Sequence, residues 1–256
     1  YLMEDHEFPL VGGTLLVRTG DRLEPADKVG LAGIMGSVMR SGGTQKRSAD
    51  EINQFLEQRA AAIETGVGET SGNASFNALS EDLNSVFSLF AEVIQQPAFP
   101  QTKIDLAKVQ ERGAIARRND DPNAIAGREF RKLIYGATSP YARTTEYATL
   151  GNVSRDDLVR FYQQHYAPDR MILGIVGDFD TAKTRQLVEK TFGSWQPTAD
   201  KPALALPPVS QVKPGGIFFV NQPQLSQSSI QIGHLGGVVS SPDYPALSVL
   251  NGVLNG

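Results

Sequence analysis

Apolar residues recur along the chain at two spacings, and each spacing predicts one kind of secondary structure. Between residues 83 and 94 they fall three and four positions apart, which places them on one face of a helix that Pro97 ends. Between 70 and 79 apolar and polar residues alternate roughly, as in a strand with one buried face. The predicted strands are 14–18, 61–67, 70–79, 171–177, 216–221 and 228–235. The predicted helices are 27–39, a helix opened by the capping box at 48–51, 83–94, 101–118, 122–134, 154–162, 181–192 and a last helix that carries Leu247, Leu250 and Leu254.

The composition changes near residue 196, which divides the chain into two parts. Residues 196–215 are rich in proline and show no apolar period, so we predict a linker there. The first domain is then 1–195, and 216–256 is the beginning of a second. A strand, a glycine-containing turn and an apolar helix follow one another in both parts, which indicates a weak internal repeat. The last helix has an apolar face with nothing after it to cover that face, from which we expect a longer natural chain.

Composition and charge exclude several classes of function. The chain has 256 residues, 40 % of them hydrophobic and 20 % charged, with a formal net charge of −4. These values are typical of a globular protein and leave no basic footprint for nucleic acid or anionic lipid. No apolar run approaches the ~20 residues that span a bilayer. Without cysteine the chain forms no disulfide, thiolate metal site or cysteine nucleophile. The compartment is therefore not readable, and a bacterial periplasm and a cytoplasm both stay open.

Residues 30–37 resemble the active-site helix of a zinc peptidase whose metal ligands are gone. Gly33, Gly36 and Ser37 stand where an H-x-x-E-H motif places its first histidine, its glutamate and its second histidine. In that motif the histidines lie four residues apart on one helical face and bind one zinc, while the glutamate activates water. Glycine has no ligand atom, and a single serine hydroxyl is a poor substitute for imidazole.

The order of the elements and several local motifs resemble the M16 metallopeptidases, the family of pitrilysin, insulinase and the processing peptidases. The similarity runs through nearly the whole chain. It is carried by the order and spacing of 24–32, 42–44, 79–83, 97–100, 166–171, 176–179 and 242–247. The resemblance implies an α+β fold, in which an M16 peptidase-like domain with a mainly antiparallel β-sheet covered by helices is followed by the start of a second homologous domain.

Active members of this family take a further zinc ligand, a glutamate, from a later helix. The matching position here is Ala114, which cannot bind metal, and the nearest carboxylate, Glu111, lies nearly a full helical turn away. A catalytic zinc site needs three protein ligands and an open position for water. The resemblance therefore implies that the chain has no catalytic residue and no metal site of its own. Zinc, the only cofactor expected, would belong to a partner subunit.

Other candidates for catalysis are weak. His6, His165 and His234 are isolated in the sequence and are most simply structural. Ser37 lacks the G-x-S-x-G turn of a serine hydrolase. Residues 66–68 contain two glycines, but no lysine and serine or threonine follow them as in a phosphate-binding loop.

Two glycines within one helical turn require an explanation, since each costs about 1 kcal/mol relative to alanine in a helix interior. A close approach of another backbone, where only hydrogen fits, would explain Gly33 and Gly36. Relaxed selection at a site that has lost its metal would explain them equally well. The sequence leaves both explanations open.

The resemblance also implies a peptide-binding strand. Family members pair the edge strand beside the zinc helix with an extended peptide, and the matching residues here are Ile63, Glu64, Thr65, Gly66 and Val67. The backbone of such a strand offers hydrogen bonds whatever its side chains are. Alternatively, the strand is a sheet edge that its glycines blunt against aggregation.

Three hypotheses for function follow. The leading one is a non-catalytic subunit that forms part of a peptide-binding chamber with a zinc-bearing M16 homologue, as a heterodimer, or by self-association. The second is a scaffold or peptide-binding protein with no proteolytic role. The third is an enzyme with a displaced metal site. Peptide is the expected ligand, and neither nucleic acid nor a transmembrane segment is expected.

Overall fold

The computed structural model describes residues 1–196, 203–209, 211–212, 215–224 and 226–255. Two compact units are distinguished: Tyr1–Arg117 with Thr144–Leu206, and Arg118–Arg143 with Pro207–Gly256. Part of the predicted linker, 197–202, 210 and 213–214, lies outside the described residues. The predicted boundaries at 195 and 216 stay predictions. No helix within the described residues combines the length and the hydropathy needed to cross a membrane.

The first unit is built on one five-stranded sheet. Its strands are β1 (Leu2–Glu4), β2 (Leu10–Val17), β3 (Ala62–Val67), β4 (Gly72–Leu79) and β5 (Met171–Gly177), in the spatial order β1-β5-β2-β4-β3. β1 runs parallel to β5, and every other neighbouring pair is antiparallel. The predicted mainly antiparallel sheet is therefore confirmed, and β3 forms one of its two edges.

Helices follow the strands in the order that the sequence predicts, with two additions. The helices are α1 (Leu31–Ser41), α2 (Ala49–Glu57), α3 (Leu83–Gln95), α4 (Gln101–Arg117), α5 (Pro122–Tyr135), α6 (Tyr147–Asn152), α7 (Arg155–His165), α8 (Thr181–Phe192) and α9 (Tyr244–Asn255). Ser48 and Ser154 begin α2 and α7 with complete capping boxes. The short elements β1 and α6 are absent from the sequence-based prediction, because neither has enough residues to show a period.

The core of the first unit lies between one face of the sheet and the helices α1 and α3. Phe76 of β4 packs against Phe87 and Phe90 of α3, with ring centroids 5.7 and 5.1 Å apart. Gly13 of β2 lies under the Phe76 ring, where a Cβ atom would overlap it. These residues and their neighbours are almost fully buried. The opposite face of the sheet is exposed, so the helices cover one side of it.

The second unit differs from the prediction. Residues 216–221 and 228–235 have the alternation of strands, yet they form no strand. Their apolar side chains point into solvent, with Ile217 100 % and Ile232 93 % exposed. A strand needs a neighbour for its backbone hydrogen bonds, and no described residue supplies one. The predicted last helix is present as α9.

Candidate functional site

The degenerate helix α1 begins on a buried carboxylate. Glu24, 5 % exposed, accepts hydrogen bonds from the backbone N–H groups of Gly30, at 3.0 Å from Oε2, and Ala32, at 2.5 Å from Oε1. These N–H groups lie at the first turn of α1, where they have no partner within the helix and where the helix dipole favours an anion. Gly30 has the positive φ of +105° that starts the turn into the helix. The sequence signal for this role is an acidic residue shortly before the helix, and the prediction did not use it.

Two of the three degenerate positions on α1 face solvent. Gly33 and Ser37 are exposed. No described atom outside the helix lies within 4 Å of the place a Cβ on Gly33 would take. The Ser37 hydroxyl donates to the carbonyl of Ile34, at 3.1 Å, within its own helix. Ala114 is exposed on α4, which packs against α1. This face therefore carries a single hydroxyl, already engaged, where zinc ligands would stand.

No three His, Cys, Asp or Glu side chains come together as a metal site within the described residues. His6 lies on the surface after β1, with Nδ1 2.7 Å from Asp178 Oδ1, and this contact raises the pKa of His6. His165 is buried and stacks on Phe161 with ring centroids 4.2 Å apart, and burial lowers its pKa to about 4. His234 contacts the carbonyl of its neighbour Leu235.

The third degenerate position, Gly36, is packed against the edge strand. A Cβ on Gly36 would lie 2.5 Å from the backbone nitrogen of Val67 and 2.7 Å from the carbonyl carbon of Gly66. Thr65 ties the same turn to β3, since its hydroxyl donates to the Gly36 carbonyl at 2.6 Å. A close approach of backbone therefore explains Gly36 and does not explain Gly33. Any residue other than glycine at position 36 would place its Cβ atom against the backbone of β3 and force that strand away from α1.

The backbone of β3 has an unpaired side. Hydrogen-bonded and non-hydrogen-bonded residue pairs alternate along an antiparallel ladder. The hairpin bond from Gly68 N–H to Ser71 C=O, at 2.9 Å, fixes the alternation, so that Ile63, Thr65 and Val67 direct their N–H and C=O groups away from β4. A hydrogen bond from Arg40 supports this assignment, because Arg40 Nε, which lies outside the sheet, donates to the Ile63 carbonyl at 3.1 Å. No described residue bonds to the outward backbone groups of Thr65.

A buried ion pair holds the segment that leads into α1. Lys28 Nζ lies 2.5 Å from Oδ1 of Asp157, which is buried at the start of α7. Burial alone would raise the pKa of Asp157, but hydrogen bonds from Lys28 and Ser154 outweigh it and lower that pKa to about 2. The carboxylate therefore stays ionised in the folded protein, and the approach to α1 is fixed at both Glu24 and Lys28.

Comparison with known protein families matches two models to this chain. Residues 3–136 match the model described as Insulinase (Peptidase family M16), and residues 152–256 match the Peptidase M16 inactive domain. The first match alone covers half of the chain. This chain belongs to the M16 peptidase family. The predicted family is thereby confirmed, and the sequence contains no H-x-x-E-H.

Relatives within the M16 family carry different descriptions. An uncharacterized zinc protease of Bacillus subtilis is 24 % identical over 94 % of this chain and 57 % of its own length. The alpha subunit of a bovine (Bos taurus) mitochondrial-processing peptidase is 26 % identical over 72 % of this chain and 34 % of its own. A solved structure from Pseudomonas fluorescens, described as a peptidase M16 inactive domain, matches with a TM-score of 0.73 and 21 % identity over 82 % of this chain and 50 % of its own. The chain spans about half the length of the first curated relatives it matches, and the structural likeness shows the fold.

Proposed function

We propose that this chain is a non-catalytic M16 subunit that binds an extended peptide at the edge of β3 and acts with a zinc-bearing homologue. One observation carries the proposal: a strand edge with free backbone groups lies beside a helix whose ligand positions hold Gly33, Gly36 and Ser37. The first feature is suited to binding a peptide, and the second leaves the described residues without the means to cleave it.

The packing of α1 supports a non-catalytic role. A glutamate at position 36 would be the base that activates water in an intact motif. Any side chain there would meet the backbone of Gly66 and Val67 within contact distance. The base is therefore missing, and the space it would need is occupied by β3. Restoring a catalytic centre would require a shift of that strand in addition to new ligands.

The edge of β3 supports peptide binding by strand addition. Thr65 presents an outward N–H and C=O, to which a parallel or antiparallel peptide can bond without regard to its side chains. Each such hydrogen bond contributes about 0.5–1.5 kcal/mol net. Arg40 already occupies the Ile63 carbonyl, and Gly36 packs against the backbone nitrogen of Val67, so the pairing would centre on Thr65.

The family supports a partner. Among the relatives, the mitochondrial-processing peptidase chain is by name a subunit of a larger enzyme. A chain without its own zinc ligands would complete the peptide site while the partner supplies the metal. If no zinc-bearing homologue associates with the chain, self-association or a scaffold role without proteolysis would be favoured instead.

Peptide binding is tested with two N-methylated probes, which leave the protein unchanged. In one fluorescent peptide every second residue is N-methylated, and in its companion the intervening residues are. A peptide that pairs with β3 in one register directs the N–H groups of every second residue toward that strand. Methylation of those nitrogens should block pairing and methylation of the intervening ones should not, so only one of the two probes should bind. Equal binding of both probes, or of neither while the unmethylated peptide binds, would exclude strand addition.

Catalysis is tested by mixing. The purified chain alone should not cleave the unmethylated peptide, with or without added zinc. A mixture with a co-purifying zinc-bearing M16 homologue should cleave it, and chelator should stop the reaction. Chelator-sensitive cleavage by the chain alone would contradict the proposal. Binding without cleavage in every mixture would favour the scaffold.

A further inference from the structure

The exposed face of the sheet carries a groove that crosses the strands. The strand register places eight outward-facing residues in two adjacent rows, each running from β3 to β5. The rows are Ala62, Asn77, Gly12 and Val176, and Glu64, Ser75, Thr14 and Gly174. These residues line a cavity of about 420 Å³. At about 4.8 Å between strands, the groove is about 14 Å long, which accommodates about four residues of extended chain.

Larger apolar residues border the two rows. Leu10 and Leu79 pair on one side, and Leu16 and Ile172 pair on the other. Leu10, Leu16 and Ile172 are 55 %, 46 % and 49 % exposed. The floor between these pairs is low because its residues are small. The groove therefore results from the alternation of small and large outward-facing residues along β2 and β5.

The two glycines of the floor are not explained by the fold. A Cβ on Gly174 would have no atom within 4 Å, and one on Gly12 would meet only the Phe76 carbonyl, at an ordinary 3.8 Å. Neither has a positive φ. Glycine within a strand costs about 0.5–1 kcal/mol relative to alanine. Gly13, by contrast, is required by the Phe76 ring. The space over Gly12 and Gly174 is therefore available to a ligand.

Glu64 is the one charged side chain in the lining of the groove. It is exposed, and no described residue forms a hydrogen bond or an ion pair with it. The guanidinium of Arg40 acts on it only at longer range, since it is bound to the Ile63 carbonyl and to Asn53. One end of the groove is therefore acidic, its middle offers the polar side chains of Thr14, Ser75 and Asn77, and its other end is apolar at Val176.

We propose that this groove binds an extended peptide segment with a basic side chain at Glu64 and an apolar side chain at Val176. The proposal rests on the proposed peptide-binding function and assigns the preferred substrate class, peptides that carry a basic residue. A lysine or arginine of the peptide supplies the positive partner that the Glu64 carboxylate lacks. The peptide backbone forms hydrogen bonds with the small polar residues between the bordering apolar pairs. The groove meets β3 at Ala62 and Glu64 and runs across the strands, so a peptide in the groove leaves the β3 edge at an angle to the direction of that strand.

The test measures binding of a fluorescent peptide with one arginine, and of the same peptide with citrulline, by anisotropy. Gly174→Leu fills the groove and should weaken binding at least about tenfold. Glu64→Gln should weaken the arginine peptide about three- to fivefold and remove its advantage over citrulline. Gly151→Leu and Glu57→Gln make the same changes at exposed sites on α6 and α2, and both should leave affinity unchanged.

The absence of native cysteine gives a second, direct measurement. A bromoacetyl group on the peptide should alkylate Ser75→Cys in the groove and leave Ser88→Cys, exposed on α3, unlabelled. Retained affinity in both Gly174→Leu and Glu64→Gln, while only one N-methylated probe binds, would overturn the groove and keep the function at β3. No peptide binding in any form would overturn both. Conversion of a dimer to a monomer by Gly174→Leu would identify the groove as a self-association surface and also overturn the proposal.

Discussion

The α-carbon of Gly36 in α1 faces the backbone of Gly66 in β3 so closely that a Cβ on Gly36 would lie 2.7 Å from the Gly66 carbonyl carbon. This contact fixes the position of the edge strand relative to the helix. It also distinguishes Gly36 from Gly33, the other glycine of the degenerate motif, which has no described atom outside the helix within 4 Å of its Cβ position.

Alanine should have opposite effects at these two glycines. Gly36→Ala inserts a methyl group into the backbone of β3 and should lower the free energy of unfolding by about 1–3 kcal/mol. Gly33→Ala adds a methyl group in open space and should raise it by about 0.5–1 kcal/mol through helix propensity. Urea denaturation of both variants measures the difference. Equal effects in the two variants would show that Gly36 does not touch the strand.

A pair of histidines should restore part of a metal site on the exposed face of α1. Gly33→His with Ser37→His places two imidazoles four residues apart on open helix surface, where both can reach one ion. The double variant should bind Zn²⁺ in competition with a chromophoric chelator, and each single variant should bind far more weakly. It should cleave no peptide, because no base occupies position 36. Peptide hydrolysis by the double variant would contradict this account of the site.

Removing the carboxylate under α1 should destabilise the first unit. Glu24→Gln leaves one of the two N–H groups, of Gly30 or Ala32, without an oxygen acceptor and removes the charge at the helix N-terminus. The expected loss is about 1–3 kcal/mol in the free energy of unfolding. Glu57→Gln, the same change on the exposed surface of α2, is the control and should stay within about 0.5 kcal/mol of the parent chain.

The sequence predicts the long elements well, because their periods are unbroken. It places the strand start of β2 at residue 14, whereas the strand begins at Leu10. Gly12 and Gly13 interrupt the alternation, one open to solvent and the other under Phe76, and only the folded sheet shows which is which. The predicted strands at 216–221 and 228–235 fail for the converse reason, since alternation without a neighbouring strand forms no ladder.

The same limit applies to the candidate site. The spacing identifies Gly33, Gly36, Ser37 and Ala114 as degenerate positions, because ligand spacing on a helix is local. The spacing does not separate Gly36 from Gly33. Gly36 is required by the close approach of β3, a strand some thirty residues later in the chain, which the local sequence does not show. The direction of the free backbone groups of Thr65 likewise depends on the hairpin register, which the sequence does not specify.

Acid should destabilise the protein through His165, and the sign follows from its pKa. The side chain is 3 % exposed, and burial, with the nearby charge of Arg170, lowers its pKa from 6.5 to about 4. The unfolded chain therefore binds a proton on this group between pH 6.5 and about 4 that the folded protein does not bind. Stability is complete above pH 6.5 and decreases as the pH falls toward 4, by up to about 3 kcal/mol.

Urea denaturation across this pH range should show a shallower loss for His165→Phe, which keeps a ring against Phe161 and cannot titrate. The carboxylate of Asp157 contributes separately, because its lowered pKa of about 2 places its loss below about pH 4. His6→Gln is the control. His6 is exposed, and its raised pKa favours the folded state at low pH, so its removal should leave the acid loss in place. An unchanged slope in His165→Phe would assign the loss of stability to other groups.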